Sequence, residues 1–328
     1  MTGLPAGASI GTPLLALRQH LGTTLGVRLP RTGTWVHQRE RVRPRTPAWE
    51  PFMLNTTAAD AALRHPRARL SEAELATYKR DGLVVPDYHL PPAQLVEQQA
   101  ALEQVIRDNP GVRGEKLISV HVVDNRAENI RGNQAFLDLA HDAAILDLVE
   151  QVLGPDIILW GCHLFCKPPG DGKEVPWHQD GHYWPIRPLA NCTVWVALDY
   201  SGEKNGALRF IPGTHSGQAY SHHTDKGDHL ALNQVLDPGQ MDESTARTVT
   251  LQPGQMSLHD IHLVHGSNPN TSTLRRAGLA LRYMPAPSLF DRGIGSMDPK
   301  LANFAERPLW LVRGEDRAGN DFRVGHAD

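Results

Sequence analysis

The segment Val175-Pro176-Trp177-His178-Gln179-Asp180-Gly181-His182 sets an imidazole and a carboxylate two residues apart. On an extended strand alternate side chains share a face, so His178 and Asp180 can reach one metal ion. His-x-Asp tripeptides are common, and alone this one carries little weight. Weight comes from a second segment, Leu258-His259-Asp260-Ile261-His262-Leu263-Val264-His265-Gly266-Ser267, followed by Leu274-Arg275-Arg276. Here a histidine closes an apolar run and an arginine follows 276 − 265 = 11 residues later. Two histidines and one carboxylate on one face of an octahedron leave three positions open, the pattern of non-haem Fe(II) oxygenases. Those positions suit a chelating co-substrate and dioxygen. A return turn can bring the arginine back beside the metal on the adjacent strand, where its guanidinium can grip a carboxylate through paired, charge-assisted hydrogen bonds. Arg275 is the rival of Arg276, but neighbours on a strand face opposite ways, and the offset favours Arg276.

Other candidates have plainer readings. Of the seventeen histidines, His259 reads as a core residue or a support for the ligands, and His262 as a turn residue. His182 follows the metal motif, in a loop over the pocket or on the surface. His215, His222, His223 and His229 lie among Ser221, Thr224, Asp225 and Asp228, a solvated loop rather than a second metal site. Cys162 and Cys166, four apart on a presumed strand, share a side and read as buried thiols.

These residues need a scaffold. Ser71-Glu72-Ala73-Glu74 is a capping box that predicts a helix through about Arg80; Asp81-Gly82 stops it before a short strand, Leu83-Val84-Val85-Pro86. Helical spacing of Leu95, Leu102, Val105 and Ile106 predicts a helix over Pro91–Asp108, and another is expected from about 134 to 153. From Ile157 the texture turns to strands: Ile157–Cys166, Thr193–Leu198, Ala207–Ile211, Thr248–Leu251, Gln255–His259, Ile261–Val264 and Ala277–Met284. Turns such as Asn205-Gly206 and Pro253-Gly254 separate them. Helices first and short strands after suggest a jelly-roll core with a helical buttress. The expected division is an N-terminal arm over 1–69, the domain over 70–310 and a C-terminal tail over 311–328.

With 328 residues, 40% hydrophobic and 21% charged, the chain can bury a core unaided. A net charge of −3 gives no reason to expect nucleic acid, and no run approaches the roughly 20 apolar residues that cross a bilayer. Three cysteines make no disulfide framework and fit a reducing cytosol. Up to position 45 seven arginines face a single acid, Glu40, a composition that also suits an import signal; an arm over the domain is the preferred reading. A homo-oligomer stays open.

From about Leu70 to Met284 the chain resembles the phytanoyl-CoA dioxygenase family. Lys167-Pro168-Pro169, His178-Gln179-Asp180, His182-Tyr183-Trp184-Pro185-Ile186-Arg187-Pro188 and Trp195 follow its pattern. So do Asn205-Gly206-Ala207-Leu208, Pro212-Gly213-Thr214-His215 and His265-Gly266-Ser267. The resemblance implies a mainly β protein with flanking helices and a double-stranded β-helix core (jelly roll, cupin-like). It implies Fe(2+) at His178, Asp180 and His265, and 2-oxoglutarate held by Arg276 with Ser267 and Trp195. His163 occupies a strand position of the same kind, where other members often carry a different residue; Gln179 and His121 are further candidate contacts. His182, Tyr183, Trp184 and Arg187 are candidates for the substrate entrance, where Arg187 either meets an anionic group or braces the loop. Dioxygen is the second co-substrate, ascorbate a reductant, and succinate and carbon dioxide the by-products. Halogenating relatives carry a small residue where Asp180 stands, so the resemblance implies hydroxylation of a small-molecule or acyl substrate. Desaturation, ring closure or epimerisation at the same site, and a non-catalytic metal- or ligand-binding protein, are the alternatives. Arg276 and Ser267 speak against the last, because a bare metal binder has no use for an oxo-acid clamp.

Overall fold

The computed structural model describes residues 68–125, 128–216, 219–293 and 303–326. The expected N-terminal arm lies, up to residue 67, outside the described residues. Helix α1 (Glu72–Asp81) begins at the capping box, with Ser71 Oγ accepting from Glu74 N at 3.2 Å and Glu74 Oε2 from Ser71 N at 2.6 Å. Gly82, in the left-handed region, ends it and leads into β1 (Leu83–Val84). Helix α2 (Pro92–Asp108) follows.

The helix expected over 134–153 is two: α3 (Gln134–Ala140) and α4 (Ala143–Leu153). Asp142 divides them, because its carboxylate accepts from the backbone N–H of Ala144 and Ile145 at 2.9 and 3.1 Å and so starts a new helix.

The larger sheet is antiparallel throughout, in the order β1, β8 (Met256–Asp260), β5 (Cys192–Ala197), β10 (Arg276–Pro285), β3 (Ile157–Lys167), β11 (Trp310–Arg313); β2 (Leu117–Ile118) also pairs with β3. The smaller sheet runs β7 (Arg247–Thr248), β6 (Arg209–Phe210), β9 (His265–Ser267), β4 (Val175–His178). Together they make the jelly-roll core. Among the described residues no helix is long and apolar enough to cross a membrane.

Strand alternation sorts the larger sheet into two faces. Ala277, Leu279, Leu281 and Tyr283 of β10 join Val194, Val196, Met256 and Leu258 in a core closed by Leu102, Val105, Phe136, Ile145 and Leu148 of the helices. Each of the large aliphatic and Phe side chains among them contributes about 1.5–3 kcal/mol on burial, so the helical layer is what holds the sheet in place. Cys162, Cys166 and Cys192 are free thiols within this core. The opposite face carries Arg276, Trp195 and His259.

One expected strand is absent. Ile261–Val264 is not a strand: Asp260 Oδ1 accepts from His262 N at 2.8 Å and Asp260 O from Leu263 N at 3.1 Å, making a turn. The strand starts at His265 instead. Strand β11 spans residue 310 on the edge of the larger sheet, and Asn320 ties the segment beyond it to Phe290 N at 2.8 Å.

Candidate active site

His178 and His265 are direct partners across the β4–β9 pair, with ring centroids 4.3 Å apart. Each is oriented by the same device: Nδ1 lies 2.8 Å from Pro176 O in His178 and 2.9 Å from Leu263 O in His265. A carbonyl oxygen can only accept, so Nδ1 carries the hydrogen and Nε2 presents its lone pair. Asp180 stands just outside β4, at the start of a 3-10 turn (Asp180–Tyr183). Gln179 remains extended (φ −107°, ψ 134°), so the alternation reaches one residue past the strand and puts the carboxylate beside His178. One potential ligand atom from each of His178, Asp180 and His265 lies within 4.8 Å of the others, and all three residues are buried.

The electrostatics suit a divalent cation. Burial, then the neighbouring His178, pushes the His265 imidazole down to about 3, so it stays neutral. Burial alone would raise the Asp180 carboxyl, yet with His178 and His259 3.6 and 3.9 Å away it lies well below the usual range. Two imidazoles and one carboxylate are the donor set that fits Fe(II) with open positions.

Arg276 projects from the larger sheet into the same cavity, which Phe165, Trp195, Leu208, Ser267 and Arg282 also line. It comes from the facing sheet rather than from the strand next to His265, as a simple return turn would have it, because 268–275 crosses between sheets. Its Nε and one terminal nitrogen donate to Gly206 O at 3.0 and 2.7 Å, the other donates to Phe165 O at 3.2 Å, and the group sits 5.3 Å over the Trp195 ring. Gly206 is glycine for a reason: at φ +78° a Cβ would meet Asn268 O at 2.5 Å. Arg275 faces outward and pairs with Asp199 and Glu103 at 2.8 and 2.6 Å.

Lys167 is fully buried and donates to Ser267 Oγ at 2.7 Å and Asn268 O at 2.5 Å. Burial, reinforced by Arg276, lowers its ammonium to about 6. Burial also lowers Arg276, to about 10.

Residues 78–278 match the family model described as phytanoyl-CoA dioxygenase (PhyH). The chain belongs to the phytanoyl-CoA dioxygenase family. A protein of Stutzerimonas stutzeri named "Probable alpha-ketoglutarate-dependent hypophosphite dioxygenase" is 34% identical over 150 residues, 45% of this chain and 52% of that protein. The human protein named "Phytanoyl-CoA dioxygenase, peroxisomal" is 33% identical over 148 residues, 43% of this chain and 44% of its own length. The chain thus spans about half the length of these curated relatives. Among solved structures, the non-heme monooxygenase ThoJ superposes with a TM-score of 0.58 at 27% identity, covering 74% of this chain and 84% of its own. CytC3 with Fe(II) and alpha-ketoglutarate gives 0.55 at 21% identity over 79% and 97%, a likeness of fold.

Not every residue singled out by the family pattern reaches the cavity of this member. Gln179 points away, donating to His262 O at 2.6 Å and accepting from Tyr220 N at 2.9 Å, so it braces the loop instead of touching an oxo-acid. His121 is also displaced: it packs 4.7 Å from the Trp310 ring, outside the cavity lining. His163 bonds Glu115 O at 3.0 Å and stacks on Phe165, one residue back from the cavity wall. Trp184 is buried edge-on to Trp160 at 4.4 Å with the Arg282 guanidinium 4.9 Å over its ring, and the partly buried Tyr183 packs beside it. Arg187 braces its loop, donating to Trp184 O and Ile186 O at 2.8 Å each. The side chain of His182 lies outside what the structure describes.

Lys167, Arg282 and Thr193 join the site without having been singled out, and His259 lines it. The signal was there in strand parity. Lys167 shares a face with Phe165, Thr193 with Trp195, and Arg282 with Arg276, so the alternation that chooses Arg276 over Arg275 chooses Arg282 as well.

Proposed function

We propose that this chain is an Fe(II)- and 2-oxoglutarate-dependent oxygenase that hydroxylates a small molecule. The observation that carries the reading is the convergence of His178, Asp180, His265 and Arg276 on one cavity, from two facing sheets. Fe(II) bound with 2-oxoglutarate and dioxygen supplies the power to oxidise a C–H bond, with succinate and carbon dioxide released. The protein positions the reactants. His178 and His265 present Nε2 because Pro176 and Leu263 hold Nδ1. Arg276, 5.3 Å over the Trp195 ring, receives the distal carboxylate. Ser267 Oγ already accepts from Lys167, which leaves its own hydrogen to donate to that carboxylate. A metal-storage module would have no use for this buried arginine, lysine and hydroxyl. The free buried thiols favour a reducing compartment such as the cytosol.

Anaerobic addition of Fe(II) and 2-oxoglutarate should produce the weak visible charge-transfer band of the chelate, and admitting oxygen should yield succinate. A wild-type protein that binds iron but forms no band with the oxo-acid would refute the assignment.

A further inference from the structure

One face of β10 presents Arg276, Gly278, Ala280 and Arg282 in succession. Two guanidiniums, six residues and roughly 20 Å of strand apart, thus enter one cavity with only a glycine and an alanine between them. Arg276 is level with Lys167 across the sheet. Arg282 is level with Thr193, and Thr193 with His259, whose imidazole stands 3.9 Å from Asp180. The two arginines therefore mark different ends of the cavity, and Arg282 holds the end beside the metal ligands.

Their surroundings differ. Arg276 is held in place by Gly206, Phe165 and Ser267, which take part of its donor set. Arg282 forms no hydrogen bond or ion pair with any described residue, and its Nε is shut off from solvent without a partner. Its guanidinium lies 4.9 Å over the Trp184 ring and 5.7 Å from that of Trp160, which fixes the plane and leaves the donor edges open. The neighbouring Arg307, by contrast, is neutralised by Glu128. The carboxylate that faces Arg282 is that of Asp180, and it belongs to the ligand triad. Arg282 is only partly buried, but a guanidinium whose Nε is shut off from water without a partner is costly unless something negative meets it.

We infer that the substrate is an organic oxyanion, a carboxylate, phosphonate or phosphate monoester, whose charged group docks on Arg282 and so holds a nearby C–H bond beside the iron site. The inference rests on the oxygenase reading for what happens to that bond, but the anion site itself does not need it. Arginine suits such a group through its planar fork of donors. Trp160 and Trp184 form the apolar floor under the fork.

The test uses the full chain with two readouts. The first is tryptophan fluorescence of the protein saturated with 2-oxoglutarate, titrated with phenylacetate, phenylphosphonate and phenyl phosphate and, for comparison, neutral phenylacetamide. The second is the response of the anaerobic Fe(II)–2-oxoglutarate band to the same panel. The anions should bind and phenylacetamide should not, and the rank of the three anions names the oxyacid. Arg282→Gln should weaken anion binding about 10- to 100-fold, the loss expected for charge-assisted hydrogen bonds, and still form the chelate band. Equal binding of phenylacetamide, no response to any anion, or anion affinity in Arg282→Gln within twofold of wild type would overturn the inference. If instead Arg282 only braces Asp180, the substitution would weaken Fe(II) binding and leave anion affinity alone. The wild-type panel is decisive even if the variant does not fold. A missing chelate band with intact anion binding would refute the oxygenase reading and keep the anion site.

Discussion

Replacing Gly278 with alanine should damage both the fold and the oxo-acid site. A Cβ built there falls 1.9 Å from Cζ2 of Trp195 and 2.3 Å from Cε2 and Cη2. The indole is buried, and the Arg276 guanidinium sits 5.3 Å over its ring, so little room exists for it to retreat. Overpacking of this kind costs about 1–3 kcal/mol. At roughly 2–4 °C per kcal/mol for a domain of this size, the Tm should fall by about 2–12 °C. Shifting the ring from under Arg276 forfeits a stacking contact of about 0.5–2 kcal/mol, which raises the 2-oxoglutarate Kd roughly 2- to 30-fold. Thermal melts and titration of the chelate band measure the two effects. The control is Gly161→Ala on β3, where a Cβ meets only Arg307 Nη1 at 3.5 Å, and the Tm should move by less than about 2 °C. Unchanged Tm and Kd in Gly278→Ala would refute the claim that Trp195 is locked against this strand.

Arg276→Ala should weaken 2-oxoglutarate on the order of 100-fold by calorimetry, through loss of paired charge-assisted bonds. Arg275→Ala should cost only about 1 kcal/mol of stability and leave that affinity alone. Lys167→Met strips the donor from Ser267 Oγ and Asn268 O, and the 2-oxoglutarate Kd should rise about fivefold or more; an unchanged Kd would separate Lys167 from the clamp. His121 should make the protein acid-sensitive. Burial, then the nearby Arg307, depresses its imidazole from 6.5 to about 3. Below 6.5 the unfolded chain takes up a proton that the folded one refuses, so stability falls as pH drops from 6.5 toward 3, by about 1.4 kcal/mol per unit. His163 and His265 act in the same sense. His121→Leu should therefore lose about 2 kcal/mol less than wild type between pH 6.5 and 5.0 in urea denaturation, and an equal loss would contradict the assignment.

The metal ligands were legible because they combine a local spacing with a distant histidine that the family pattern also names. Sequence could not tell that Asp180 leaves the strand, since an extended Gln179 and a strand residue look alike along the chain. Arg276 was legible by parity, whereas its sheet was not: turn length says how far a chain can return, not to which sheet. Gln179 was misjudged because its amide is spent on His262 O and Tyr220 N, both brought near by loops from elsewhere. The packing of Trp184 and Tyr183 is hidden for a similar reason, as the cluster they join is built by Trp160, Phe290 and Phe304 from distant segments. Asp142 carried an N-cap signal inside a helical pattern, and the pattern hid it. Helix and strand periods thus reported the scaffold and the inward faces, while long-range partners decided which inward polar residues reach the cavity.

The most direct check is anaerobic equilibrium dialysis with Fe(II), followed by iron analysis of wild type and of His178→Ala, Asp180→Ala and His265→Ala. Wild type should hold one iron per chain. Each substitution should weaken binding by more than the roughly 10- to 100-fold that loss of an outer partner costs. A His265→Ala protein that held one iron with undiminished affinity would show that β9 does not contribute to the metal site, and the account would fall.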